Sequence, residues 1–308
     1  MSLNLITSSI PAVQVIRYAH LGLAVSNIHN SVDFLSKIGF QPHYEQGSIC
    51  VVKNKGGLEF HVFTCDRGID DNKNILMDYP TNKYPGHTHA SFSVPHVLNT
   101  KEYFEKNGLV ISGERKMNSR LASIFVRDQD RTTFEFENNH NDEVDVDVSS
   151  DSIGFPQPID HIGIRVTNPL DRFQWYAEKL GFIQEVMKYE HNPDLIKNGP
   201  PWISRTMSGI DINFIINANE SVTENILVAD GVVRPGIIYA CYTVADIASS
   251  AIALQNAGVS VVFDEELSTS KLSMLANTTV RYPEGMSLFL QDDDHNLLRL
   301  IQETIDHV

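Results

Sequence analysis

Histidine and acidic residues recur through the first half of the chain at a spacing that suits metal binding. At three places two such residues lie two positions apart, and residues two apart on a strand share one face. The candidates are His20, Glu59 with His61, His87 with His89, and Glu135 with Glu137. Imidazoles and carboxylates together bind borderline divalent cations such as Fe(II), Mn(II), Ni(II) or Zn(II). The first hypothesis is therefore a metal centre that keeps open positions for a substrate.

A structural interpretation competes with this one for every candidate taken alone. A single strand histidine is more often structural or exposed than a ligand, and a single strand acid more often faces solvent. Two carboxylates buried against an apolar sheet are costly unless a cation compensates them. The position of each residue within a repeated unit is the evidence that favours the metal hypothesis.

Four segments of the chain share one pattern, a short apolar strand followed by an amphipathic helix that ends at a glycine. The strands are HLGLAV from His20, HASFSV from His89, HIGIRV from His161 and YACYTV from Tyr239. The closing residues are Gly39, Gly108, Gly181 and Gly258, each 19 or 20 positions after its strand begins. Glycine is the usual left-handed cap at such helix ends. Further strand-like runs follow, such as SICVVK, LEFHVF, LASIFV and DINFII, so each unit is predicted to be βαβββ.

The four units are themselves two copies of a pair. The stretch NILMDYPTNKYPGHTHASFSV from Asn74 matches NILVADGVVRPGIIYACYTV from Asn225, and FVRDQDRTTFEF from Phe125 resembles TVRYPEGMSLFL from Thr279. The predicted organisation is an α+β protein with a tail at 1–14, domains at 15–139 and 158–302, and an acidic, Ser-rich linker at 140–157.

These motifs resemble the vicinal oxygen chelate superfamily, which includes glyoxalases, bleomycin resistance proteins and extradiol dioxygenases. The segments YAHLGLAVSN, PGHTHASFSV and RDQDRTTFEF carry the resemblance. The last is similar to the family pattern D-P-x-G-x-x-x-E, although Gln129 and Arg131 stand where proline and glycine are common. The resemblance implies that two βαβββ units form a half-open barrel around a divalent metal, with ligands from the first and last strand of each unit.

Matching positions between the units selects one residue from each candidate pair. His89 occupies the place of His20, His161 and Tyr239, while Glu59 and Glu135 are aligned with Asn213 and Phe289. The predicted metal ligands are His20, Glu59, His89 and Glu135. The side chains left as neighbours of the site are His61, His87 and Glu137. The second domain then lacks most ligands, since Phe289 cannot coordinate a metal.

An alternative pairing of the units is implied by relatives that exchange them. Such an exchange would join His89 and Glu135 with His161 and Asn213, and would separate them from His20 and Glu59. We expect the unexchanged arrangement, because it gives one complete site in the first domain.

Three functions are compatible with this site. A glyoxalase-like lyase or isomerase would act on a small substrate that chelates the metal through neighbouring oxygens, with Glu135 or Glu59 moving a substrate proton. Glu59 favours this outcome, because an Fe(II) extradiol dioxygenase needs only two histidines and one glutamate. The third possibility is a non-catalytic protein that binds a drug or metabolite, as bleomycin resistance proteins do.

Composition excludes several other classes. The 308 residues carry a formal net charge of −15, which repels nucleic acid backbones. No apolar run approaches the roughly 20 residues that cross a bilayer. Three cysteines without CxxC spacing argue against a disulfide framework and favour the cytoplasm. A small molecule is therefore the expected partner, and a homodimer is compatible with the sequence.

Overall fold

Each of the four repeats folds as a βαβββ unit. In unit 1 the elements are β1 (Arg17–Val25), α1 (Ile28–Lys37), β2 (Phe40–Gln46), β3 (Ile49–Asn54) and β4 (Glu59–Thr64). In unit 2 they are β5 (Gly86–Val94), α2 (Val97–Lys106), β6 (Ile111–Met117), β7 (Arg120–Arg127) and β8 (Thr133–Asn138). In unit 3 they are β9 (Ile159–Val166), α3 (Pro169–Leu180), β10 (Ile183–Val186), β11 (Trp202–Arg205) and β12 (Asp211–Ile216). In unit 4 they are β13 (Gly236–Val244), α4 (Ile247–Asn256), β14 (Val261–Phe263), β15 (Ser287–Gln291) and β16 (Leu297–Gln302).

This computed structural model describes most of the chain. The described residues are 10–66, 73–76, 78, 83–117, 119–138, 159–186, 202–206, 211–216, 222, 224–283 and 285–303. The predicted linker 140–157 and most of the predicted tail 1–14 lie outside them. Among the described helices, none has both the length and the apolarity needed to span a membrane.

Each helix ends within two residues of the glycine that the sequence predicts. Side-chain oxygens of Asn27, Asn168 and Asp246 accept backbone N–H groups of the first helical turn, which satisfies donors that a helix start leaves unpaired. The four closing glycines all adopt positive φ, between 69° and 103°, a conformation that costs glycine little. The predicted βαβββ units and their glycine-terminated helices are confirmed.

The units pair across the two halves of the chain rather than within them. Strand β5 of unit 2 runs antiparallel to β9 of unit 3, and β1 of unit 1 runs antiparallel to β13 of unit 4. We call units 2 and 3 the inner barrel and units 1 and 4 the outer barrel, each a curved sheet of eight strands. One residue pair, His87 with Ile237, joins them into a sheet of sixteen strands. The expected unexchanged arrangement is therefore wrong.

Strand register also corrects the alignment of the last strands. Within each unit the last strand pairs in parallel with the first. We call the position of Glu135, opposite Ser91 in this pairing, the Glu135 slot. In unit 1 the same slot is occupied by His61, which lies opposite Gly22. The fourth unit has Arg299 in this slot. Phe289 lies one strand earlier, on β15. The sequence alignment therefore placed Glu59 two residues away from its slot and assigned Phe289 to the wrong strand.

Two acidic hairpin turns connect the units within each half. Asp130, in the turn between β7 and β8, accepts the backbone N–H of Ser26 at 2.8 Å, just before α1 begins. Asp294, in the matching turn of unit 4, accepts the backbone N–H of Thr167 just before α3. Each half is thus held by its turns and each barrel by its strands, so every unit contacts at least two others.

The two barrels differ in what fills their concave faces. The outer barrel contains an apolar cluster that includes Val51, Phe63 and Phe289. Leu267 and Leu275, from two short 3-10 helices that unit 4 inserts between β14 and β15, complete this cluster. In the inner barrel the corresponding connection is the short turn between β6 and β7. Among the described residues, the concave face of the inner barrel carries the polar side chains of His89, Glu135 and His161.

The turn residue Asp128 provides a test of the described packing. Burial and the nearby Asp130 raise the pKa of its carboxyl to about 7, although backbone N–H groups oppose the shift. A folded-state pKa above the unfolded value stabilises the fold fully below pH 4, and this contribution is lost as the pH rises towards 7. Asp128→Asn should therefore raise the free energy of unfolding relative to the native chain at pH 8, by at least about 1 kcal/mol.

Urea unfolding at pH 4 and pH 8 measures this difference. The matched variant is Asp292→Asn. Asp292 accepts a hydrogen bond from the side-chain amide of Asn296, and an asparagine at 292 would place its own NH2 group against that donor. Asp292→Asn should not share the gain. An effect of Asp128→Asn that is the same at both pH values would contradict the assignment.

Candidate metal centre

Three side chains converge where β5 and β9 meet in the inner barrel. The Nε2 atoms of His89 and His161 are 3.1 Å apart. One carboxylate oxygen of Glu135, from β8, lies 3.4 Å from the first nitrogen and 3.7 Å from the second. His89 and His161 are 72 residues apart in sequence, and the β5–β9 ladder brings them together.

The separations of these three atoms fit one metal ion. With bonds of about 2.1 Å, two ligands are about 3.0 Å apart at an octahedral angle and about 3.4 Å apart at a tetrahedral angle. Of the three observed separations, 3.1 and 3.4 Å fall within this range and 3.7 Å exceeds it by about 0.3 Å. All three side chains are buried, and a buried His-His-carboxylate set with open positions is a known arrangement for Fe(II).

Both imidazoles are held with Nε2 directed at the centre. The hydroxyl of Thr88 donates to the carbonyl of Gly163 at 3.1 Å, so it accepts from Nδ1 of His89 at 2.9 Å. Nδ1 of His161 lies 2.9 Å from Asp160 and 3.2 Å from Glu137. With Nδ1 protonated in each ring, Nε2 presents a lone pair to a cation.

The charges around this centre call for a cation. Glu135, Glu137 and Asp160 contribute three carboxylates, while Arg115 contributes one guanidinium that contacts Glu137 at 2.7 Å and Glu135 at 3.2 Å. With both imidazoles neutral, as they would be when bound to a metal, two negative charges are left over, which a divalent ion would balance. Because unpaired buried charges are strongly unfavourable, the residues present fit a divalent metal.

While no ion is bound, protonation of His161 offsets part of this excess. Burial alone would raise the pKa of Glu135, but its hydrogen bond to His89 and the charges of both histidines lower it to about 2. Burial alone would lower the pKa of His161, but Asp160 and Glu137 raise it to about 9. The cluster thus stabilises a carboxylate and a positive charge beside it.

A glycine on β9 provides the space that the ring of His89 occupies. A Cβ atom on Gly163 would lie 2.2 Å from Cε1 of His89 and 2.8 Å from the hydroxyl of Thr88. The outer barrel repeats this contact, since a Cβ atom on Gly22 would lie 2.1 Å from Cε1 of Tyr239. The two barrels are thus built on one plan, with Tyr239 in the place of His89.

Two of the predicted ligands, His20 and Glu59, lie in the outer barrel. The ring of His20 stacks on His61 with centroids 3.6 Å apart. Glu59 pairs with Lys53 at 2.9 Å and lies 3.6 Å from His61. The structure therefore brings together His89 and Glu135 of the predicted set, and separates them from His20 and Glu59.

The outer barrel has a positive charge where the inner barrel has a ligand carboxylate. Arg299, in the slot of Glu135, is fully buried, pairs with Asp264 and donates to the carbonyl of Val280 at 2.9 Å. Its guanidinium lies 4.8 Å from the ring centre of Tyr282 and 5.3 Å from that of Phe289. This charge opposes metal binding near His20 and His61.

His161 is the site residue to which the sequence analysis gave too little weight. It begins HIGIRV in the slot of His89, so the signal was present, but it was assigned to a second domain without a site. Arg115, Thr88 and Asp160 were not singled out, because their roles depend on contacts that spacing alone does not reveal. Asn213 lies opposite Gly163 in the strand register, which is the slot of Glu135 in unit 3.

Comparison with known proteins supports the fold. No sequence model of a protein family matches the chain, and no curated protein matches it either. Among solved structures, glyoxalase I from Zea mays shares 12% identity, with a TM-score of 0.57 over 93% of this chain and 92% of that one. A Bacillus subtilis protein described as a candidate dioxygenase shares 11% identity, with a TM-score of 0.55 over 94% and 86%. The cppA protein from Streptococcus pneumoniae shares 11% identity, with a TM-score of 0.51 over 94% and 100%.

The chain therefore has the fold of the vicinal oxygen chelate superfamily, built from four βαβββ units in tandem. The resemblance predicted from the sequence motifs is confirmed at this level.

The two matched glycines provide a test of the site. Gly163→Ala should displace the ring of His89 and weaken binding of a divalent metal by roughly tenfold to a hundredfold. Gly22→Ala introduces a similar clash against Tyr239 in the outer barrel and should leave metal affinity unchanged. Metal titration and thermal unfolding of both variants measure the two effects. Equal losses of metal affinity would show that general destabilisation, not the position of His89, is the cause.

Proposed function

We propose that this chain is a metal-dependent enzyme acting on a small substrate that chelates the metal through neighbouring oxygens. The observation that carries the proposal is the meeting of His89, His161 and Glu135 within 3.7 Å on the polar face of the inner barrel. Fe(II), Mn(II), Ni(II) and Zn(II) all accept such ligands.

Ring cleavage of a catechol-type substrate by an Fe(II) extradiol dioxygenase is the activity we favour. Two histidines and one carboxylate make the ligand set that such chemistry requires. The sequence argument for a lyase or isomerase depended on Glu59 as a further carboxylate ligand, and Glu59 pairs with Lys53 in the other barrel. In the slot of a fourth ligand the inner barrel has Asn213, whose amide is a weaker ligand than a carboxylate.

A glyoxalase-like lyase or isomerase is the second candidate. The similarity in fold to glyoxalase I from Zea mays over nearly the whole chain favours it. In this case Glu135 would bind the metal and also move a substrate proton. A protein that only binds a drug or metabolite is disfavoured, because sequestration alone does not require two oriented imidazoles.

The residues around the centre have separate roles in this proposal. A bound divalent ion would polarise two adjacent substrate oxygens and stabilise the negative charge that develops on them. Thr88 holds His89, and Asp160 with Glu137 holds His161, so that both rings keep their orientation. Arg115 contacts both Glu135 and Glu137 and so offsets the repulsion between the two carboxylates. Ser91 donates to Glu137 at 2.9 Å and fixes its position.

Metal content of substituted proteins tests the ligand set. His89→Ala and His161→Ala should each lose stoichiometric metal, because two remaining ligands hold it poorly. His20→Ala should retain it, since His20 lies in the other barrel. Elemental analysis after dialysis gives the result. Metal retained in His161→Ala and lost in His20→Ala would instead support a site within the first half.

Oxygen consumption separates the candidate activities. The protein reconstituted with Fe(II) should consume oxygen in the presence of catechols and give a ring-opened product with new visible absorbance. Glu135→Gln should lose this activity, while Glu59→Gln should keep most of it. Stoichiometric metal without oxygen uptake would favour the lyase or isomerase instead.

A further inference from the structure

Beside the three metal-binding side chains, the concave face of unit 2 presents two rows of residues. Cross-strand partners in antiparallel strands share a face. One row consists of Glu137, Ser123 and Arg115 on β8, β7 and β6. The other consists of Glu135, Phe125 and Gly113 on the same strands. A guanidinium and a phenyl ring thus lie next to the candidate metal position.

Arg115 has a donor that no described residue uses. Its Nη2 atom contacts Glu137 and Glu135, and its Nε donates to Ser123 at 3.1 Å. The remaining Nη1 has no protein partner in the described part of the chain, and 41% of the side chain is exposed. Since Nη2 contacts Glu135, and Glu135 contacts both histidines, the free edge of the guanidinium lies one carboxylate away from the metal position.

Phe125 is the one aromatic residue in these two rows, and it is partly exposed. Its ring is half-buried and belongs to neither hydrophobic cluster, whereas Phe134 and Phe136 of β8 are fully buried in the core. Gly113 is the cross-strand neighbour of Phe125 on the side away from Glu135. A Cβ atom there would lie 3.4 Å from the ring, so the glycine leaves this side of the ring uncrowded. A phenyl ring placed this way offers a flat apolar surface to a ligand ring.

We propose that Arg115 and Phe125 form the substrate-recognition subsite, and that the substrate is an aromatic carboxylic acid that also presents two neighbouring oxygens to the metal. The aromatic ring packs on Phe125, and the carboxylate pairs with the free edge of Arg115. This inference depends on the proposed metal site. The net charge of −15 repels acids at long range, so a preference for an acid has to come from a local cation such as Arg115.

Binding of two catechols to Co(II)-loaded protein without oxygen tests the proposal, using the visible bands of Co(II) as the signal. The native chain should bind 3,4-dihydroxybenzoate about tenfold more tightly than catechol, as one partly exposed charge-assisted contact gives. Arg115→Gln should lower the ratio of the two affinities to about one. Because Arg115 also contacts Glu135 and Glu137, the two affinities are compared in the same variant at full Co(II) occupancy. Arg115→Lys should restore part of the preference. Phe125→Ala should weaken both catechols by a similar factor and leave their ratio unchanged.

Arg120→Gln is the matched control, because Arg120 is an exposed arginine on the same hairpin and its loss should not alter the preference. Equal affinity of the native chain for both catechols would overturn the subsite, and so would a preference that survives in Arg115→Gln. Failure of the native chain to take up Co(II) is a separate result that would contradict the metal site itself, and the subsite with it.

Discussion

The antiparallel pairing of β5 with β9 is the interaction on which the candidate site depends. It places His89 opposite Gly163 and Ser91 opposite His161, so that two histidines from different halves of the chain approach across one strand interface. Irregularities in the ladder on either side of these pairs locally change the alternation of side chains. A one-residue slip would turn one imidazole to the opposite face. The apolar side of the same strands, with Ala90 and Ile162 fully buried, fixes the register and thereby the distance between the histidines.

The two barrels use one backbone plan with opposite charge. In the inner barrel, the carboxylates of Glu135, Glu137 and Asp160 exceed the one guanidinium of Arg115. In the outer barrel, Arg299 and Asp264 neutralise each other, and an apolar cluster fills the remaining space. A buried ion pair does not need to add net stability. Here the pair compensates the buried charge of Arg299 from within the chain, so the outer barrel does not need a bound ion for that purpose.

The fold could be predicted from sequence because its signals are local. Strand alternation, helix caps and the glycine at each helix end all act within about 20 residues, and four copies reinforced one another. The pairing of units could not be predicted this way, because β1, β5, β9 and β13 have similar apolar sequences and no local signal specifies which of the others each strand pairs with. His89 and Glu135 were selected correctly as neighbours, since both lie in one unit. A period of two leaves Glu59 and His61 on the same face, and the match between repeated units selected Glu59. The strand register instead gives His61 the place of Glu135.

The exchanged pairing also explains how one chain can complete a site that neither half contains. Strands β5 and β9 pair with each other in antiparallel orientation along one edge. Strands β1 and β13 pair in the same way. A second copy of the chain is therefore not required to bring the three candidate ligands together. The acidic turns at Asp130 and Asp294 hold units 1 and 2, and units 3 and 4, in contact, so displacement of either half would separate His89 from His161. The inner barrel thus contains the candidate metal-binding residues, and the contacts between the units hold them in place.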